Sequence, residues 1–173
     1  MAKQDITFKG NPIVLAGRRP EAGRKAPDFH VQDKDLREVS LGDFKGKIKV
    51  ISAVLSLDTP VCHKQLVRFN EEAAKLGRDV AVLNISMDLP FAIARFIEEQ
   101  KIERSTVLSD HRDASFGKAY GLLIEGMRLL ARSVIIIDRE DTITYFQIAP
   151  EQTGEPDYGR AMKEVEKLLA GVA

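Results

Sequence analysis

Seven consecutive residues, Val80-Ala81-Val82-Leu83-Asn84-Ile85-Ser86, set the tightest limit on what this chain can become. Apolar side chains fall on both parities of the run, so a strand made from it needs cover on both faces. Such strands belong to α/β proteins, in which helices pack on each side of a sheet. The flanking sequence supplies the helices. Residues 60–76 place Val61, Leu66, Phe69, Ala73 and Leu76 near a helical repeat, and Gly77 follows as a stop. Pro90 suits the first position of a second helix carrying Phe91, Ala94, Phe96 and Ile97. A last helix is expected from Asp157 to Leu169, with Tyr158, Ala161, Met162, Val165, Leu168 and Leu169 on its apolar side.

Further strands bracket these helices. Lys47 to Leu55 is rich in β-branched residues and reads as a central strand. Residues 4–8 and 12–15, around Gly10-Asn11-Pro12, read as a short hairpin. Ala26 to Phe29 leads into a short strand ending at Val31, and Ser40 to Phe44 reads as a one-turn helix. Thr106 to Ser109 is a strand, and Ala114 to Tyr120 a short helix ending at Gly121. Ser133 to Asp138 and Thr142 to Ile148 form a pair of strands across Arg139-Glu140-Asp141. The expected fold is α/β: a mixed central sheet flanked by helices, with an N-terminal β-hairpin. At 173 residues without repeat or long linker, residues 1–173 are expected to form one domain.

Charge removes several classes of function. Lys+Arg and Asp+Glu number 26 each, so there is no basic excess to bind a nucleic acid or an anionic membrane. The longest apolar runs, such as Val134 to Ile137, are far too short to cross a bilayer. The charged stretch from Gly17 to Lys25 has no interleaved aromatic residue and reads as a solvated loop. Gly42-Asp43-Phe44-Lys45-Gly46-Lys47 is one residue short of a phosphate loop, with Ile48 where Ser or Thr belongs. His30, His63 and His111 are too scattered for a metal signature, and no flavin, haem or metal is implied.

That leaves the cysteine. There is one, Cys62, so neither an internal disulfide nor a Cys-rich zinc site can form. A single thiol, with Asp5 where a secretory peptide would begin its apolar stretch, points to a reducing cytoplasm. Cys62 closes the string Leu57-Asp58-Thr59-Pro60-Val61-Cys62, between a strand and a helix. Thr59 fits the N-cap and Pro60 the first helical position, which puts Cys62 in the first turn. Free N–H groups and the helix dipole there favour an anion, here a thiolate. His63 is adjacent, but neighbouring helical residues point about 100° apart, so a Cys–His pair is not expected and the ring should face solvent.

Thr59-x-x-Cys62 resembles the peroxidatic motif of the peroxiredoxins. Ser86-Met87-Asp88-Leu89-Pro90-Phe91-Ala92 continuing to Phe96 is similar to the signature of their thiol peroxidase subgroup, the atypical two-cysteine type. Phe8 to Pro12, Leu130-Ala131-Arg132 and Glu155 to Tyr158 extend the likeness from about residue 6 to 169. The resemblance implies an elaborated thioredoxin fold, a homodimer, and reduction of hydrogen peroxide or alkyl hydroperoxides. It assigns Cys62 as nucleophile, with Thr59, Arg132 and the Val61 and Cys62 N–H groups as donors around it. Two positions depart from the family. Ile97 stands where the resolving cysteine is expected, so a Cys62 sulfenic acid would be reduced by an outside thiol: thioredoxin, glutaredoxin or a small thiol. Leu55 stands where a proline usually shapes the loop over the thiolate. These departures also admit a weakly catalytic redox sensor or interaction protein that signals through a mixed disulfide at Cys62. Met87 and Phe91 read as core or pocket wall.

Overall fold

The computed structural model describes residues 5–171. A hairpin of β1 (Thr7–Phe8) and β2 (Asn11–Pro12) opens the chain, followed by β3 (Leu15–Ala16), β4 (His30–Gln32) and β5 (Glu38–Ser40). A 3-10 turn at Leu41–Phe44 leads to β6 (Ile48–Ala53), α1 (Pro60–Leu76), β7 (Val80–Ser86), α2 (Pro90–Gln100) and β8 (Thr106–Ser109). Then come α3 (Ser115–Ala119), β9 (Leu123–Ile124), β10 (Leu129–Leu130), β11 (Ser133–Ile137), β12 (Ile143–Ile148) and α4 (Tyr158–Leu169).

The main sheet has seven strands in the order β12-β11-β6-β7-β8-β4-β5. β6, β7 and β8 run parallel, and the remaining pairs are antiparallel. This is the mixed sheet expected from the sequence. Alternate residues of its central strands enter two separate cores. Val50, Val82, Val134 and Ile136 pack with Phe69 of α1 and with Tyr158, Ala161 and Val165 of α4. Ile51, Leu83, Ile85, Ile135 and Ile137 pack with Ile93 and Phe96 of α2 and Phe116 of α3. Each such side chain contributes about 1.5–3 kcal/mol by leaving water, which is why the apolar runs of β7 and β11 carry both parities.

Several details differ from expectation, the unforeseen short strand β5 among them. The N-terminal hairpin turns on Lys9-Gly10, whose φ values of 51° and 78° suit a primed turn, one residue earlier than Gly10-Asn11-Pro12. Gln4, where its first strand was expected to start, lies outside the described residues. Phe91 is not a wall residue: it is 71% exposed, because α2 turns Pro90, Ile93 and Phe96 inward and Phe91 lies off that face. Finally, β3, β9 and β10 form a small sheet of their own. The Gly17–Lys25 loop is held at one end by close packing on Gly121, where a Cβ would lie 2.6 Å from the Arg19 nitrogen. Its four basic residues stay on the surface, as expected. No described helix is long and apolar enough to cross a membrane.

The corner after β8 makes stability depend on pH. Asp110 is 2% exposed and caps α3, accepting from Phe116 N at 3.0 Å and Gly117 N at 2.8 Å. Burial pushes its pKa up to about 6, against the opposing pull of those two backbone N–H groups. The folded state therefore holds this proton more tightly than the unfolded chain does. Its contribution is complete below about pH 4 and disappears as pH rises through about 6. Relative to Asp110→Asn, the unmodified protein should lose about 2 kcal/mol between pH 4 and 6. Urea melts of both proteins across that range check this; parallel profiles would remove Asp110 as the cause.

Candidate active site

β6 ends at Ala53, and the chain turns through residues 54–59 into α1. Thr59 is the N-cap, with φ −91° and ψ 141°, and its Oγ1 accepts from Cys62 N at 3.2 Å. Its hydroxyl proton goes to the Ser56 carbonyl at 3.1 Å. Pro60 fills the first helical position, where its missing N–H costs nothing. Cys62 follows in the first turn and is 0% exposed. The Cys62 N–H expected to point at a substrate is engaged by this cap.

Arg132 lies in the link between β10 and β11, 70 residues from Cys62. At 1% exposure it heads the largest fully buried side chains among the described residues. Each guanidinium nitrogen has a seat. Nε donates to the Gln152 carbonyl at 3.0 Å, Nη1 to Gln65 Oε1 at 2.8 Å, and Nη2 to Cys62 Sγ at 3.0 Å. The Arg132 main-chain N–H donates to Gln152 Oε1. Both glutamines are themselves pinned, Gln65 Nε2 to Ser52 Oγ at 2.6 Å and Gln152 Nε2 to the Ala149 carbonyl at 2.7 Å. No carboxylate is among these partners. The one atom in the set able to carry a full negative charge is the sulfur.

The loop holding Gln152 is clamped by the N-terminal hairpin. Thr7 N donates to the Pro150 carbonyl at 2.8 Å, and Gln152 N returns a bond to the Thr7 carbonyl at 2.8 Å. Glu151 accepts from the Thr7 hydroxyl and from the Lys9 and Gly10 N–H groups. The Thr7 and Thr153 hydroxyls, in that order, hold its pKa down at about 2. Tyr158, at the start of α4, buries a hydroxyl without a hydrogen-bond partner. Its pKa rises to about 12, first through burial and then through Glu155, while Arg132 opposes.

Beside the first turn of α1 lies a cleft of about 460 Å³, bounded by Thr59, Pro60 and His63 and by Phe96, Glu99 and Gln100 of α2. His63 does not face solvent freely: its ring packs edge-on against Phe96 at 5.3 Å, which half-buries it. Leu55 sits in the core at 4% exposure, and Ile97 packs against the same core from α2. No three His, Cys, Asp or Glu side chains converge on a metal site among the described residues.

A family model for the redoxins matches residues 21–162. The thiol peroxidase of Halalkalibacterium halodurans is 50% identical over 164 residues, covering 95% of this chain and 98% of that protein. The chain belongs to the thiol peroxidases of the redoxin family. The thiol peroxidase of Bacillus subtilis is 48% identical over 165 residues, covering 95% of this chain and 98% of its own. A solved peroxiredoxin-like protein from Aquifex aeolicus shares the fold with a TM-score of 0.89 at 42% identity, over 96% of this chain and 98% of that one. As a thiol peroxidase, the chain is a peroxiredoxin-type oxidoreductase on the thioredoxin-like α/β fold that the sequence implied.

The structure thus brings Cys62, Thr59 and Arg132 together. Gln65, Gln152 and Ser52 were not found from sequence. Gln65 had a usable signal, three residues after Cys62 and therefore on the same side of the helix. Gln152 had none, because its bonds to Arg132 span 20 residues of irregular chain and strand.

Proposed function

We propose that this chain, acting as one peroxiredoxin domain, is a thiol-dependent peroxidase that reduces hydrogen peroxide and organic hydroperoxides at Cys62. The Cys62 thiolate attacks the terminal peroxide oxygen. An S–O bond forms, the O–O bond breaks, and the leaving oxygen takes a proton to depart as water or an alcohol, leaving a sulfenic acid. Charge moves from sulfur to the departing oxygen, along a line that Arg132 Nη2 already borders. A fixed guanidinium at that position stabilises the transition state without reorganising. Thr59 holds the helix start against which the sulfur is aimed. With no second cysteine, an external thiol completes the cycle: thioredoxin, glutaredoxin or a small thiol. The reading extends to a homodimer, as the family resemblance implies, and to the reducing cytoplasm that a single thiol suggests.

The observation that carries it is the 3.0 Å contact between Arg132 Nη2 and Cys62 Sγ, in a buried set of partners holding no carboxylate. Peroxide consumption with dithiothreitol present should fall in Cys62→Ser to the rate of the thiol alone. Equal consumption by that variant would remove Cys62 as nucleophile. The complete burial of Cys62 favours a second reading, a slow redox sensor. In that case turnover stays slow with every reductant, while one partner is trapped on Cys62 as a mixed disulfide.

A further inference from the structure

Asp88, just past the end of β7, carries a carboxylate that the peroxide step does not use. Its Oδ1 accepts from Ser56 Oγ at 2.8 Å. Its Oδ2 accepts from Leu57 N at 2.8 Å and Ser86 Oγ at 2.7 Å. Ser56 and Leu57 belong to the link between β6 and α1, so one side chain ties together the ends of two neighbouring parallel strands. The link goes further. The Ser56 carbonyl accepts from Thr59 N at 3.2 Å and from the Thr59 hydroxyl at 3.1 Å, and Thr59 Oγ1 receives Cys62 N. The connection therefore runs from Asp88 to the Ser56 side chain, through Ser56 to its own carbonyl, and on by hydrogen bonds to the amide of Cys62.

The two halves of the proposed cycle ask opposite things of this chain of bonds. Peroxide attack needs the first turn of α1 formed, with the sulfur against Arg132. At 0% exposure the sulfur is out of reach of a bulky protein thiol, so reduction needs the same turn to open further than a small peroxide requires. We infer that Asp88 is a positioning residue that latches the start of α1, speeding oxidation of Cys62 and restraining its reduction by a protein thiol. This rests on the peroxidase reading above. In the restrained step the partner thiolate attacks the sulfenic sulfur, an S–S bond forms, the S–O bond breaks, and hydroxide leaves to become water with the partner's proton. A second thiol of the partner then attacks that bond, releasing the Cys62 thiolate and an oxidised dithiol.

The half-reactions can be timed separately on the full chain by intact mass after rapid quench. Asp88→Ala loses three charge-assisted hydrogen bonds, and its oxidation by hydrogen peroxide should slow roughly tenfold. Reduction of its sulfenic acid by thioredoxin should quicken several-fold, with little change for dithiothreitol, which is small enough to need less opening. Asp88→Asn keeps one oxygen for the Leu57 N–H and should fall between the two. Ser56→Ala, which removes the Oδ1 contact and an acceptor for the Asp58 N–H but leaves both Oδ2 contacts, should show the same opposed shifts at smaller size and serves if Asp88→Ala does not fold. Equal slowing of both halves, or no change in either, overturns the latch. Iodoacetamide alkylation of Cys62 reads the opening without peroxide and should be faster in Asp88→Ala. Unchanged alkylation overturns the latch even if the peroxidase reading stands. Faster alkylation with an unaltered Cys62 that proves inert to peroxide would defeat the peroxidase reading and leave standing only the latch on the start of α1.

Discussion

Arg132→Met is expected to give a folded protein whose Cys62 is oxidised about 10²–10³-fold more slowly, the loss typical of removing one preorganised donor from a dry site. Methionine matches the buried volume but ends the contact at Sγ. The stability change should be small for such a buried position. Gln65 Oε1 and the Gln152 carbonyl each lose a donor, at about 1–3 kcal/mol apiece. Against that, a charge no longer has to be held away from water, and replacing buried charge by an apolar side chain is often neutral or better. Arg132→Lys should not rescue the rate. An ammonium has no planar fork and cannot meet Gln152, Gln65 and Cys62 at once. Stopped-flow oxidation beside urea melts separates the two quantities. Oxidation of Arg132→Met at the unmodified rate would end any role for the guanidinium in the chemistry.

The largest expected stability loss lies at the other end of β6. Lys49 is 0% exposed, and its Nζ donates to the Asp138 carbonyl at 3.1 Å and pairs with Asp141 in the β11–β12 turn. A buried ammonium without its carboxylate is costly, and breaking such a pair typically costs about 3–5 kcal/mol. Asp141→Asn, which suits the φ of 62° at that position and keeps a weak acceptor, should cost about 3 kcal/mol. Lys49→Met combined with Asp141→Asn should recover most of it, because the stranded charge is then gone. Denaturant titrations of the two singles and the double form the test. Additive losses would show that the turn itself, rather than the charge, is what Asp141 stabilises.

Long, periodic elements are legible in the sequence alone. Val80–Ser86 and the 60–76 helix with its Gly77 stop match residue for residue, since apolar spacing and end signals act locally. β3, β9 and β10 were not legible, because strands of two residues offer no alternation to read. Phe91 misled because it sits among apolar neighbours while its position on α2 faces outward. The candidate site divides the same way. The Thr59 cap and the first-turn position of Cys62 are local facts of spacing. The burial of Arg132 depends on partners 67 and 20 residues away, which no local pattern encodes.

The clamp between the N-terminal hairpin and the 150–153 loop has a consequence for the order in which the molecule is made. The set of groups around the sulfur draws on residues 52, 62, 65, 132 and 152, and the loop carrying the last is fastened by residue 7. A chain synthesised from its N-terminus presents the thiol long before Arg132 exists, and the clamp has nothing to close on until Gln152 has emerged. Through most of translation Cys62 is an ordinary thiol in an unfinished sheet. Its environment is acquired nearly all at once, when the final quarter of the chain arrives.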